Sequence, residues 1–156
     1  MPLFRSGYLF SQANFSRSTR VSKLAHVTIP HAKSATLATK IRKLNNKIIG
    51  FINGCTYDKP ELPDILYEDA SLHNKNGEYQ TIFGIDTLPD YRRQGVGEHL
   101  MRSLINLTRK RGKKGLVLTC KDYLIHYYEK FGYKNMGVSK SCHGGAKWND
   151  MLYLFD

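Results

Sequence analysis

No aspartate or glutamate occurs before Asp58, so the first third of this 156-residue chain carries basic side chains with no acidic counterweight. Cysteine is also scarce. Cys55, Cys120 and Cys142 make an odd number without the close pairs of a zinc site or redox motif. Free thiols in a reducing compartment and no bound metal are the expectation. No apolar run approaches the roughly 18–20 residues of a membrane span, the longest being interrupted by Asn, Gly or Lys. A soluble chain with no membrane partner is therefore expected. Ten Tyr, seven Phe and 41% apolar residues exclude wholesale disorder, and the length suits one core.

What the chain has in excess is positive charge, +11 at neutral pH. Nucleic acid, an acidic membrane surface and a phosphorylated cofactor all satisfy that sign. In "MPLFRSGYLFSQANFSRSTRVSKL", Arg5, Arg17, Arg20 and Lys23 sit among serines, as in an organelle transit peptide. An irregular basic arm and a start inside a longer protein read equally well. Residues 1–33 are accordingly set apart from a domain over 34–156. An intracellular, cytoplasmic address is expected, with a mitochondrial one as the alternative offered by the acid-free N-terminus. A basic binding module using that arm and "RKRGKK" (109–114) is the competing class. It lacks a recognisable nucleic-acid-binding motif and a stacking pattern of aromatics, so nucleic acid is not the expected partner.

Alternation and β-branched residues predict a strand over 34–44, "NNK" a turn, and "IIGFINGCTY" (48–57) its hairpin partner. Pro60 and Pro63 mark a connection that leaves the sheet around a short helical fragment, "DILYEDASLH". "EYQTIFGIDTL" (78–88) reads as one strand stopped by Pro89. Val96, Leu100, Met101, Leu104 and Ile105 form one apolar helical stripe that ends in "KRGKKG". A buried strand over 116–120 follows, then a helix over Tyr123–Phe131 with Asp122 as its cap and Gly132 as its stop. "YKNMGVS" and "WNDMLYLF" supply two last strands. The order implies an α/β domain with a mixed sheet.

Between the third strand and the long helix lies "YRRQGVGEHL". Its glycines permit close approach, the helix start offers unpaired amides, and Arg92 and Arg93 add charge. An anion belongs there, with diphosphate the natural guest. The plain alternative is that the glycines only allow tight strand-to-helix packing. Neither the Lys-Ser/Thr ending of a nucleotide P-loop nor a full GxGxxG is present, since residue 100 is Leu, so ATP and NAD are disfavoured.

Arg92-x-x-Gly95-x-Gly97 behind "IDTLPDY" resembles the acetyl-CoA signature of the GNAT superfamily of N-acetyltransferases. "DYLIHYYEKFGYKNMG" (122–137) is similar to the superfamily's late helix and strand. The resemblance runs from about residue 35 to the end. "YDKPELPDILYEDASLH" and "SKSCHGGAKWNDMLYL" look most like arylalkylamine (serotonin) N-acetyltransferase-like proteins. It implies a GNAT-like acyl-CoA N-acyltransferase fold, a mixed central sheet flanked by helices, with acetyl-CoA as cosubstrate and a small amine or peptide as acceptor. The protein would act as a monomer or homodimer. By resemblance, Ile85, Asp86 and Thr87 bond the pantetheine and polarise the thioester. Arg92, Arg93, Gln94, Gly95, Val96, Gly97 and Glu98 would receive the diphosphate. Tyr128 would be the acid for the departing thiolate, a phenol suited to that task; its alternative is a core aromatic among Tyr123, Tyr127, Phe131 and Tyr133.

The two histidines of the arylalkylamine enzymes map to Thr81 and Phe83, which cannot accept a proton. Glu78 and Asp86 remain as candidate bases, against the plainer readings of a solvated carboxylate and a turn cap. His126 is expected at the surface, and Cys142–His143 is discounted as a nucleophile pair because adjacent residues on an extended chain point apart. Residues 1–33 carry no convincing copy of the superfamily's first strand and helices; with those missing, CoA binding would survive without an acceptor site, so a non-catalytic CoA-binding chain is an alternative and the acceptor stays open.

Overall fold

The computed structural model describes residues 37–156. The reading of residues 1–33 as a separate basic segment, and of 34–36 as the start of the first strand, lies outside these described residues. Strands β1 (Leu37–Leu44) and β2 (Lys47–Tyr57) form the expected hairpin. Asn45 and Asn46 both adopt positive φ, 47° and 61°, the conformation that two-residue hairpin turns require and that asparagine tolerates. The connection then forms two single 3-10 turns, Asp64–Tyr67 and Ala70–Leu72, rather than one helical fragment.

The strand expected over 78–88 is broken in two. β3 (Tyr79–Thr81) and β4 (Gly84–Thr87) both pair antiparallel with β2. Between them the Phe83 N–H donates to the Asn53 carbonyl (2.8 Å) while Gly84 is also the partner of Asn53. Two residues opposite one make a bulge, which bends the strand. Gly54 of β2 explains why the bulge can form there: a Cβ on it would lie 1.8 Å from the Thr81 carbonyl oxygen.

Helix α1 (Val96–Lys110) carries the predicted stripe, with Val96, Leu100, Met101, Leu104, Ile105 and Thr108 buried. They pack on Ile49, Ile52, Leu116, Leu118 and Met151 to form the main core. Each such aliphatic side chain contributes about 1.5–3 kcal/mol by leaving water. β5 (Gly115–Cys120) is buried along its whole length and alternates between faces. Leu116, Leu118 and Cys120 join the helix side, while Val117 joins a second cluster of Cys55, Leu62, Leu66, Tyr67 and Phe83.

Helix α2 is short (Ile125–Glu129), preceded by a 3-10 turn over Asp122–Leu124. Asp122 does not cap it. Its carboxylate instead accepts from Asn149 Nδ2 (2.6 Å) and meets Lys147 Nζ (3.4 Å), fastening the turn to the last strand. Gly132, at φ 102°, ends the segment. β6 (Lys134–Val138) and β7 (Asn149–Leu154) complete a seven-stranded sheet of order β1-β2-β3-β5-β7-β6, with β4 joined to β2.

Candidate active site

The chemistry of this sheet begins where it forks. β3 runs parallel to β5 from Tyr79↔Gly115 to Thr81↔Val117, and the Ile82 N–H still reaches the Val117 carbonyl at 2.9 Å. Beyond the bulge β4 stays with β2 while β5 continues with β7. The inner edge of β4 therefore faces a gap. The Leu88 N–H bonds to the Ile49 carbonyl (2.9 Å), so by the two-residue alternation of an antiparallel ladder Asp86 also turns its groups to β2. Ile85 and Thr87 turn theirs to the fork. The Thr87 N–H is held by the Asp86 carboxylate (2.7 Å) and its carbonyl by Arg92 Nε (3.2 Å), which leaves Ile85 to present backbone groups there.

The glycine loop closes the same end of the fork. Arg93 and Gly95 adopt positive φ, 59° and 78°, and Gly95 precedes the helix as its N-cap. The first helical bond runs from the His99 N–H to the Gly95 carbonyl, so Val96, Gly97 and Glu98 precede any intrahelical acceptor for their amides. A Cβ on Gly95 would meet nothing within 4 Å, whereas one on Gly97 would lie 3.3 Å from Tyr127 Oη, 3.9 Å from Ile85 Cδ1 and 4.0 Å from Thr87 Oγ1. Loop and strand edge, both expected from sequence, are thus brought together. These residues fit a diphosphate in kind: bare amides, a positive helix end and room beside glycine.

Arg92 reaches back to the end of β4. Besides the Thr87 carbonyl it meets Asp86 Oδ1 at 3.9 Å. Burial raises the Asp86 carboxyl above its ordinary range, opposed by the Thr87 amide and the Arg92 charge. Asp86 Oδ2 is buried without a hydrogen-bond partner among the described residues. Glu78 lies at the other end of β3, where its carboxylate pairs with Lys114 Nζ at 2.7 Å and its backbone carbonyl accepts from the Lys114 N–H. That geometry gives Glu78 the work of fastening the sheet, about seven residues of strand, or roughly 23 Å, from Ile85. The cations of 109–114 sit at the far end of α1, about 22 Å from the glycine loop. Arg109 covers the Phe155 ring at 4.8 Å and Lys113 donates to the Lys75 carbonyl.

Tyr128 is fully buried, edge-on to Tyr127 (5.2 Å between centroids) and to Tyr133 (6.0 Å). Its neighbour Tyr127, which the sequence offered only as a core aromatic, holds the hydroxyl that reaches Gly97. Burial first, then the Glu98 charge, raises the Tyr127 phenol. His126 is exposed beside Glu129, as expected.

On the opposite face of the sheet, four rings form a continuous wall around the bulge. His73 packs on Phe83 (5.6 Å), Phe83 on Tyr67 (4.9 Å), and Tyr67 stacks on His143 (5.1 Å). Asp64 latches the β6–β7 loop over this wall, accepting from the Ser141 hydroxyl and the Cys142 N–H. The Trp148 indole N–H holds the His143 carbonyl at 2.9 Å. Cys142 and His143 thus serve different neighbours, in line with their rejection as a nucleophile pair. None of Tyr67, His73 or Asp64 stood out in the sequence; they lie in a Pro-punctuated connection whose periodicity points to no face.

A model of the acetyltransferase (GNAT) family matches residues 10–133, which takes in much of the N-terminal segment. The chain is 32% identical over 92 residues to serotonin N-acetyltransferase of Mesocricetus auratus, covering 58% of this chain and 43% of that protein. It is 30% identical over 105 residues to the Macaca mulatta enzyme, covering 67% and 50%. The chain therefore spans about half the length of the curated relatives it matches. Among solved structures, a putative streptothricin acetyltransferase from Bacillus anthracis in complex with acetyl coenzyme A has the same fold, with a TM-score of 0.56 at 21% identity over 80% of this chain and 64% of that one. With the forked sheet and glycine loop in place and the family model spanning most of its length, the chain belongs to the acetyltransferase (GNAT) family.

Proposed function

We propose that the protein transfers an acetyl group from acetyl-CoA to a primary amine by direct attack within a ternary complex. The observation that carries this reading is the contact between the bare end of α1 and the free edge of β4, at Gly97, Ile85 and Thr87. One structure offers amides for a diphosphate and, on the neighbouring strand, backbone groups for the arm that leads to a thioester.

Under this reading the amides of Val96, Gly97 and Glu98 hold the diphosphate, and the exposed Arg93 adds charge. Arg92 acts indirectly, by fixing the Thr87 carbonyl and the Asp86 carboxylate. The Ile85 C=O accepts from a pantetheine amide N–H, and the Ile85 N–H donates to the thioester carbonyl and polarises it. A preorganised donor of this kind is worth about 3–4 kcal/mol in the transition state. Acetyl-CoA supplies the activated carbonyl. The amine nitrogen bonds to that carbon, the carbon–sulfur bond breaks, and the Tyr128 hydroxyl gives its proton to the departing thiolate. Tyr128 recovers a proton from those the nitrogen sheds.

The acceptor class is proposed as a primary amine on an alkyl or arylalkyl stem, supported by likeness to the serotonin N-acetyltransferases and by the aromatic wall at Tyr67 and Phe83. A panel of alkylamines, arylalkylamines and short peptides with acetyl-CoA, read by thiol release, tests activity and acceptor together. Release with amines and none with peptides supports the reading, and release with peptides alone overturns the acceptor class.

A further inference from the structure

Neither carboxylate that the sequence offered as a base is well built for it: Glu78 is paired with Lys114 at the wrong end of β3, and Asp86 is tied through Oδ1 to the Thr87 amide and Arg92, with only its buried Oδ2 left over. An amine that arrives protonated still has to lose a proton before it can attack. The four-ring wall contains a group that can take it. His73 Nε2 lies 3.0 Å from the Leu66 carbonyl oxygen. A carbonyl only accepts, so Nε2 carries the hydrogen and Nδ1 keeps its lone pair. That Nδ1 is buried and has no hydrogen-bond partner among the described residues. The ring packs on Phe83. Phe83 sits in the bulge where β4 leaves β5, about 7 Å of extended chain from Ile85.

We propose, resting on the acetyltransferase reading, that His73 is the general base, its Nδ1 accepting a proton from the acceptor ammonium at the bulge. The protons balance as follows. The ammonium gives one proton to Nδ1, and the neutral nitrogen forms its bond to the thioester carbon. As the carbon–sulfur bond breaks, the nitrogen loses a second proton. One of the two ends on the CoA sulfur by way of Tyr128, and the other leaves His73 for solvent. Leu66 acts through the imidazole, since its carbonyl fixes the tautomer that leaves Nδ1 bare. The charged and titratable groups around the wall are Asp69, whose carboxylate interacts with His73, then Asp64, Tyr67 and His143, and the thiols of Cys55 and Cys142. His143 also holds a buried unpartnered nitrogen, Nε2, at the far end of the wall, and is the natural comparison.

The test uses the full chain, the variants His73→Gln and His143→Gln, and two probes: 2-phenylethylamine, protonated at neutral pH, and 2,2,2-trifluoroethylamine, largely neutral there. For His73→Gln, kcat/KM toward 2-phenylethylamine should fall about 100-fold. The same variant should stay within about threefold of wild type toward trifluoroethylamine, which arrives without the first proton and sheds only the second, after its bond to carbon has formed. Binding of CoA by calorimetry should be unchanged, which separates a lost base from a lost fold; His73→Asn supplies a second variant if the first melts early. Equal losses with both amines, or a loss selective for 2-phenylethylamine that appears in His143→Gln and not in His73→Gln, overturns the assignment. Wild-type protein inert toward every amine but bound to CoA overturns the acetyltransferase reading itself.

Discussion

The Tyr127 hydroxyl sits 3.3 Å from the position a Cβ would take on Gly97, closing the start of α1 against the end of β4. Gly95, two residues earlier, has open space around it but a φ of 78°. The two glycines are therefore required for different reasons. Gly97→Val drives a branched side chain at Tyr127, Ile85 and Thr87, and should abolish the rise in melting temperature that CoA produces while costing little fold stability. Gly95→Val should cost about 1–2 kcal/mol of stability for its left-handed backbone, and weaken CoA as well. Thermal melts with and without CoA separate the two effects; an unchanged CoA shift in both variants removes the loop from the site.

Tyr128→Phe keeps the ring that packs between Tyr127 and Tyr133 and removes only the hydroxyl. Turnover should fall by at least about tenfold, with CoA affinity within about twofold. Equal turnover assigns Tyr128 to the core and strips it of the acid role.

Asp64 ties the first 3-10 turn to the loop that carries His143 by accepting from the Ser141 hydroxyl, the Cys142 N–H and the Cys142 thiol. Asp64→Ala removes these bonds and hands the exposed donors to water, and should cost about 0.5–1.5 kcal/mol in urea denaturation. It should raise KM for the amine while CoA affinity stays level, because the glycine loop lies on the other face of the sheet.

The Asp86 carboxyl is raised by burial, so its contribution to stability is full below the ordinary carboxylate pKa and is lost as pH rises through the higher folded value. Asp86→Asn keeps an oxygen for the Thr87 amide and removes the buried charge. The variant should melt a few degrees above wild type at neutral pH, and the difference should vanish below roughly pH 4. A gap that widens on acidification contradicts the burial argument.

Several of these features were legible in the residues themselves. The apolar stripe from Val96 to Ile105 could bury only one face, and Gly95–Val96–Gly97 at its start read either as a bare helix start for an anion or as room for tight strand-to-helix packing. The break between β3 and β4 was not legible, because the strand pattern of 78–88 is continuous and the bulge depends on the absence of a Cβ at Gly54, on another strand. Asp122 read as a cap because capping is local; its carboxylate was drawn to Asn149, which only the folded sheet brings near. The candidate bases legible in the chain, Glu78 and Asp86, flank the central strand for the same reason. His73 reaches Phe83 through a connection with two prolines, and no spacing in the chain announces that approach.

The account rests on a diphosphate held by the first amides of α1 beside an open strand edge. Isothermal calorimetry of the folded wild-type chain with CoA tests this most directly, with Gly97→Val beside it. Saturable heat with wild type and none with the variant is the predicted result; no heat from well-folded wild type, or equal heat from both, contradicts it.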